Sequence, residues 1–242
     1  MSVRRASRSR SAVFAPLGEV GRAVRVEQRL ADAIRVGLLA DGERLPSEQE
    51  LATMLGVATV TAREALQALR DKGLVTTVRG RGGGSFVQRP HKLDEQVLAQ
   101  RLAGMSRVEL RDRGTLYRVI LAGCAELAAE FADEQDVQEL RELAAPPDRE
   151  DVAAWRHLGI EFTLAVAALT QSARMTREMM RQEAEFGVLL RLSARTPQQA
   201  GEHHANLVDA LAKHDGDAAR RIVQTQVDAA LAGLAELHRT VR

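Results

Sequence analysis

Residues 45–87 read LPSEQELATMLGVATVTAREALQALRDKGLVTTVRGRGGGSFV, and the order of signals in this stretch decides the fold of the N-terminal part of the chain. Ser47 followed three residues later by Glu50 forms a capping box that opens a helix, and Leu51, Met54 and Leu55 supply its expected inward stripe. Gly56-Val57 makes a short turn, with Gly56 free to take positive φ at the helix end. A second helix follows, in which Ala62, Ala65, Leu66 and Leu69 recur at helical spacing and Lys72-Gly73 supplies the stop. Leu74–Val78 and Ser85–Val87 are short β-prone runs joined by Arg79-Gly80-Arg81-Gly82-Gly83-Gly84, which reads as a hairpin with a cationic tip. Helix, turn, helix and basic hairpin in this order make a winged helix-turn-helix, an arrangement suited to a DNA groove.

The chemistry of the exposed positions agrees. With the alanines and leucines of the second helix inward, Thr59, Arg63, Gln67 and Arg70 line another side. Arg63 can donate two hydrogen bonds to a guanine edge, and Thr59 and Thr61 can reach bases or phosphates. Arg79 and Arg81 can neutralise phosphates or enter a minor groove, while the wing glycines let backbone approach the sugar-phosphate edge. A nucleotide-cradling loop is the rival reading of these glycines, but that chemistry needs a helix after the loop and here a strand follows.

The run Ile34-Arg35-Val36-Gly37, Leu45-Pro46-Ser47-Glu48, Val57, Arg63-Glu64-Ala65-Leu66, Gly73-Leu74 and Gly80-Arg81-Gly82 resembles the DNA-binding domain of GntR-family bacterial transcription regulators, over most of that domain. The resemblance implies DNA contacts at Gln49, Ala58, Thr59, Thr61, Arg63 and the wing from Arg79 through Gly80 and Arg81 to Gly82. Ser47 and Gln67 complete the expected DNA-binding set. Gln49 stands where the family commonly has Arg, and Ala58-Thr59 where it has Ser or Thr and then Arg. Fewer charges therefore face the groove. Ala58 also cannot cap its helix, unless Thr59 or Thr61, the latter paired with Glu64, begins it instead.

Charge divides the chain in the same way. The 242 residues carry a formal charge of only +1, yet residues 1–90 hold 15 Lys and Arg against 9 Asp and Glu, and residues 91–242 hold 19 against 24. The basic part contains the helix-turn-helix. Residues 1–21, with Arg4, Arg5, Arg8 and Arg10 among serines, read as a basic, disordered tail. The expected division is 22–88 for the DNA-binding domain, 89–93 for a linker at Arg89-Pro90-His91-Lys92, and 94–242 for an all-helical domain. Cys124 stands alone among apolar residues and reads as a buried thiol in a reducing compartment. No apolar run approaches the roughly 18 residues that span a bilayer, so no membrane association and a cytoplasmic location are expected.

Beyond the linker everything reads helical. Leu116, Val119, Ile120, Cys124, Leu127 and Phe131 trace one apolar side, Trp155 to Leu169 a second, and Leu207 to Leu234 a third. Pro146-Pro147, Thr196-Pro197 and His214-Asp215-Gly216-Asp217 punctuate them. The expected fold class is therefore mainly α, a winged helix-turn-helix followed by an all-α bundle of six or seven helices.

A bundle of this length after such a winged helix resembles the FadR subfamily (FCD-type C-terminal domain), whose bundle binds a small effector and forms a dimer. The resemblance implies a metal frame of one Asp and three His. Laid on this chain, its positions fall on Gly159, Thr163, His204 and Gln226, a set too poor in donors for a zinc-type ion, so no metal and no cofactor are expected. Where the subfamily places an Arg and, four residues on, a Glu, this chain has Ile120 and Cys124, which implies a more apolar interior. Tyr117, Thr163, His204 and Gln226 are then the polar groups available to orient an effector, either an organic acid or a less acidic metabolite.

The resulting expectation is a ligand-responsive repressor, a homodimer on a pseudo-palindromic double-stranded operator. Two rivals are a constitutive DNA-binding protein with a collapsed pocket, and an enzyme using Glu202, His203 and His204. Adjacent helical histidines point about 100° apart, and no convincing nucleophile accompanies them.

Overall fold

The computed structural model describes residues 21–89, 95–144, 152–193 and 197–241. The basic tail except Gly21, the linker beyond Arg89, Pro146-Pro147 and Thr196 lie outside the described residues. Two compact units emerge: one holds the chain through Ala31 together with Gly42–Gln88, the other Asp32–Asp41 and the chain from Arg89.

The N-terminal elements are, in chain order, α1 (Arg22–Val36), which runs past Ala31 into the residues grouped with the second unit, then α2 (Glu48–Leu55), α3 (Thr59–Asp71), β1 (Val75–Val78) and β2 (Gly84–Val87). The capping box forms: Glu50 N donates to Ser47 Oγ, and Ser47 N donates to Glu50 Oε2 at 2.8 Å. Hydrogen bonding to the carboxyl by the Ser47 backbone N–H first, and then by its hydroxyl, holds Glu50 below its ordinary range. Gly56 ends α2 at φ 64°. The inward stripe of α2 differs from expectation, since Leu51 and Ala52 are buried while Met54 is 71% exposed. Two helical turns bury a narrow arc, and Ala52 takes the place beside Leu51 that i+3 spacing would have given to Met54.

In α3, Ala62, Ala65, Leu66 and Leu69 are buried, and each leucine contributes about 1.5–3 kcal/mol by leaving water. The helix starts at Thr59 with Ala58 as its cap, which makes no side-chain cap hydrogen bond, so the alternative start at Thr61 with Glu64 is not used. Ala58 has the extended backbone of a good cap, φ −69° and ψ 150°. Ala58→Ser is therefore expected to stabilise the first unit by about 1 kcal/mol in urea or thermal unfolding. Unchanged stability would mean that the first-turn amides already have partners. Lys72 at the far end donates to the nearly buried Glu27 of α1 at 2.9 Å.

β1 and β2 pair antiparallel, Val75 opposite Val87 and Val78 opposite Gly84, and Arg44 adds a single bridge to Phe86. Gly83 is needed for close approach: a Cβ there would lie 2.4 Å from the Val78 carbonyl oxygen.

The second unit comprises α4 (Glu95–Ala103), α5 (Arg107–Phe131), α6 (Glu134–Ala144), α7 (Val152–Leu169), α8 (Ala173–Gln182), a π turn (Glu183–Gly187), α9 (Val188–Leu190), a 3₁₀ turn (Arg191–Ser193), α10 (Pro197–Ala212) and α11 (Gly216–Thr240). With Ala173–Ser193 taken as one continuous rod, the described residues from Glu95 onward form seven helices. Asp215 caps α11 by accepting from Ala218 N at 2.8 Å. The core gathers Leu102, Cys124, Phe186, Leu189, Leu211 and Leu234. The Cys124 thiol is buried and pushed up to about 11 by desolvation.

The buried side of α5 is not the expected stripe. Gly114, Tyr117, Leu121, Ala125 and Ala128 face inward with Cys124, whereas Leu116, Val119 and Phe131 are 43–57% exposed. Small residues win the inward side because α11 packs close: a Cβ on Gly114 would lie 2.4 Å from Leu231 Cδ2.

Candidate DNA-binding surface and effector cavity

On the first unit the exposed side of α3 carries Thr59, Arg63 and Gln67, with Thr61 half-buried. Arg63 is held by a neighbour that sequence reasoning left without a role: its Nε donates to Glu48 Oε2 at 2.8 Å. The Arg63 side chain stays 64% exposed, so the two Nη groups keep their fork for a base edge. Gln67 is more committed than expected, donating to Asp71 at 2.8 Å and accepting from Arg70 at 2.8 Å. Arg70 also donates to Thr77 Oγ1 at 3.3 Å, tying α3 to β1.

Ser47 and Gln49 open α2 beside the wing, and Ala58 sits exposed in the turn before α3. Arg79 and Arg81 alternate with Gly80 (φ 99°) and Gly82 (φ 85°) at the wing tip, all exposed. Arg44, absent from the expected set, braces the wing by donating from Nη2 to Gly83 O at 2.8 Å. Met54 and Arg44 help line the groove between α2 and the wing. The exposed residues of α3 and the wing supply positive groups and hydrogen-bond donors, the chemistry that a phosphate backbone and a major groove require.

The second unit encloses a cavity of about 930 Å³. All four expected pocket residues, Tyr117, Thr163, His204 and Gln226, line it, as do Gly159 and His203. Its interior holds something the sequence reading missed and in one respect contradicted. The domain interior is not simply apolar, because Arg191 on the cavity wall pairs across the π turn with the fully buried Glu183. Arg191 Nη1 meets Glu183 Oε2 at 2.5 Å and Nη2 meets Oε1 at 3.0 Å, a two-pronged pair in which Glu183 has no exposed side-chain surface and Arg191 has 15%.

Tyr117 Oη donates to Glu183 Oε1 at 2.6 Å, and burial with this carboxylate beside it raises the phenol well above its ordinary value. Burial alone would lower Arg191; the Glu183 charge outweighs it and holds the guanidinium protonated. Gly187 makes room for the pair, since a Cβ there would lie 2.1 Å from Glu183 Oε2. An arginine within the apolar run Val188-Leu189-Leu190-Arg191-Leu192 was the available sequence signal.

This pair also decides the fit of the metal frame. Arg191 Nη2 donates to Gly159 O at 3.0 Å and reaches Thr163 Oγ1 at 3.4 Å, and Thr163 Oγ1 itself donates to Gly159 O at 2.8 Å. A fixed cation thus stands against two of the four frame positions, one of which has no side chain. The residues present do not fit a divalent metal. Among the described residues no group of three His, Cys, Asp or Glu is placed to hold one.

His204 is 7% exposed and stacks on Phe162, ring centres 4.0 Å apart and planes 19° apart. Its Nδ1 and the Trp155 Nε1 are buried without hydrogen-bond partners among the described residues. Burial first, then Arg191 and His203, lowers His204 to about 3. The unfolded chain therefore holds one more proton than the fold at this side chain between about pH 6.5 and 3, and the protein loses stability as pH falls through that window. Unfolding at pH 5 should be easier than at pH 7 by roughly 2 kcal/mol from this residue. Comparing the two pH values by urea unfolding should give a smaller difference for His204→Gln; an equal one would remove His204 as the source.

A cavity of this size does not describe a collapsed pocket, and His204, stacked and neutral with Glu202 exposed, makes no catalytic set. Together these features define a DNA-binding transcription regulator, a winged helix-turn-helix coupled in one chain to a cavity-bearing helical domain. Residues 22–86 match the model described as "Bacterial regulatory proteins, gntR family", and residues 115–229 match the FCD domain. The chain is 33% identical over 218 residues to RmpR of Mycobacterium gastri, named as a transcriptional regulator of HTH type, across 88% of this chain and 80% of the relative. It is 28% identical over 222 residues to the transcriptional repressor NanR of an Enterobacter species, across 84% and 81% of the two chains. The solved E. coli McbR/YncC is similar at 21% identity with TM-score 0.48, covering 92% of this chain and all of that one. The chain belongs to the GntR family of bacterial transcription regulators and carries an FCD domain. It is a regulator, not an enzyme.

Proposed function

We propose that this protein is a FadR-subfamily repressor, acting as a cytoplasmic homodimer and released from a pseudo-palindromic operator by a small-molecule effector bound in the helical domain without a metal. The observation that carries the reading is the 930 Å³ cavity with unpartnered polar atoms in its wall, in the same chain as an exposed basic reading surface. Two copies would set recognition helices about 34 Å apart, one turn of the duplex. Leu116 and Val119, exposed on α5, are the apolar surface we assign to the second copy. An effector that favours one arrangement of the paired DNA-binding heads shifts the population away from the operator, and DNA then opposes effector binding by the same factor.

Gel filtration with footprinting tests the assembly: a dimer protecting two half-sites is expected, and a monomer protecting a single asymmetric half-site would overturn it. Genomic pull-down followed by a metabolite screen against the recovered operator tests release. Chelation of divalent ions is expected to leave folding and operator binding unchanged, and loss of either would reinstate a metal. Among the described residues no helix is long and apolar enough to cross a membrane, which supports the cytoplasmic placement.

A further inference from the structure

The charged side chains of the cavity lining are Arg156, Arg191 and Glu236. Arg191 is taken by both oxygens of the fully buried Glu183, which is not itself part of the lining, and Arg156 and Glu236 are one of each sign. Burial and Arg191 oppose a charge on His204. An anion entering here would find the cation Arg191 already matched by the Glu183 carboxylate, and would lose its hydration for little return. The wall is otherwise apolar, through Phe162, Leu207 and Val223 among others.

Two uncharged side chains of this lining, Trp155 and His204, each carry a buried polar atom with nothing to bond. The Trp155 indole can only donate, and His204 Nδ1 donates or accepts according to its tautomer. Both rings pack along α10: Trp155 Cη2 lies 3.3 Å from where a Cβ on Gly201 would be, and His204 is three residues further along the same helical side. Phe162 fixes the His204 ring by stacking on it. A buried donor left unsatisfied costs on the order of 1–3 kcal/mol, a penalty that a ligand acceptor would remove.

We infer that the cavity takes an uncharged, largely apolar molecule with a carbonyl-type oxygen at one end, which accepts from the Trp155 indole N–H and lies beside the His204 ring. This rests on reading the helical domain as the effector site. The volume, about 930 Å³, suits a drug-sized molecule, and an amide, ester, lactone or ketone meets the stated chemistry.

The chain has a single tryptophan, so its one indole N–H resonance in ¹⁵N-labelled full-length protein reports directly on this wall. The probes are 4-phenylbutanamide and 4-phenylbutanoate, alike in skeleton and different in charge. The amide is expected to move the indole resonance saturably at millimolar concentration and to bind at least tenfold more tightly than the carboxylate. By calorimetry, Trp155→Phe, which keeps a ring and removes the donor, should weaken the amide about two- to tenfold, and His204→Phe similarly. Cooperative unfolding curves establish that each variant is folded. Equal or tighter binding of the carboxylate, above all if Arg156→Gln abolishes it, overturns the inference. Absence of binding by both probes overturns it as well, as does an amide affinity indifferent to Trp155→Phe. The broader regulatory reading fails separately, through the footprint and the oligomeric state.

Discussion

Arg191→Met is expected to destabilise the helical domain by about 3–5 kcal/mol, the cost of leaving a buried carboxylate without its partner. Glu183 has no exposed side-chain surface, and its two oxygens are shared between Arg191 and the Tyr117 hydroxyl. With the guanidinium gone, the carboxyl either keeps an unmatched charge in a poorly solvated place or takes up a proton, so the loss should shrink at acidic pH. Removing both charges together, Glu183→Gln with Arg191→Met, should recover most of the stability, because the pair's attraction largely offsets its own desolvation. Tyr117→Phe removes one hydrogen bond to the carboxylate and should cost about 1.5–3 kcal/mol. Urea unfolding of the four proteins at pH 7 decides: a single variant that loses under 1 kcal/mol, or a double variant no better than the single, would deny the pair its role.

Arg63→Ala should weaken binding to the native operator by about 1–3 kcal/mol, roughly five- to 150-fold, while leaving the fold intact. The guanidinium lies on the exposed side of α3 with its Nε engaged by Glu48, so its outer edge is already oriented before DNA arrives. A base contact of this kind carries sequence preference but little salt dependence. Arg81→Ala at the wing tip should behave in the opposite way, weakening all sequences alike and lowering the slope of log affinity against log salt by about 1. Glu48→Gln keeps a hydrogen-bond acceptor but removes the charge, and should fall between wild type and Arg63→Ala. Titrations at several salt concentrations separate these cases; an Arg63 variant with native operator affinity would exclude it as a base reader.

The contrast between the two sites explains what the chain made legible. The reading surface is built from local rules: the Ser47–Glu50 box, the left-handed Gly56, the alternation of inward alanines and leucines in α3 and the glycine-arginine wing each act within a few residues, and sequence shows them directly. Glu48 bracing Arg63 and Arg44 bracing the wing span 15 and 39 residues, and no spacing rule announces them. In α5 the large side chains drew attention to Leu116, Val119 and Phe131, while the side that packs is marked by what is small, Gly114, Ala122, Ala125 and Ala128. Burial there follows how near another helix comes, which hydropathy does not measure.

The cavity was legible as four polar positions and illegible as an electrostatic unit. Tyr117 and Thr163 were expected to face a ligand, yet one hydroxyl donates to Glu183 and the other to a backbone carbonyl. Glu183 and Arg191 stand eight residues apart, where a regular helix would turn them about 80° from each other, and the periodic reading therefore gave no reason to join them.

The π turn at Glu183–Gly187 is, in effect, a single extra residue taken up by an otherwise continuous rod. Excising one residue from it would let the regular ladder close again and rotate everything downstream by about 100° around the axis. Arg191 would swing off the cavity wall, Glu183 would lose its counter-charge, and two frame positions would be left with no cation beside them. The boundary between this cavity and one open to a foreign cation is therefore a matter of helical phase, set by chain length at one turn and not by the chemistry of any residue that touches the ligand.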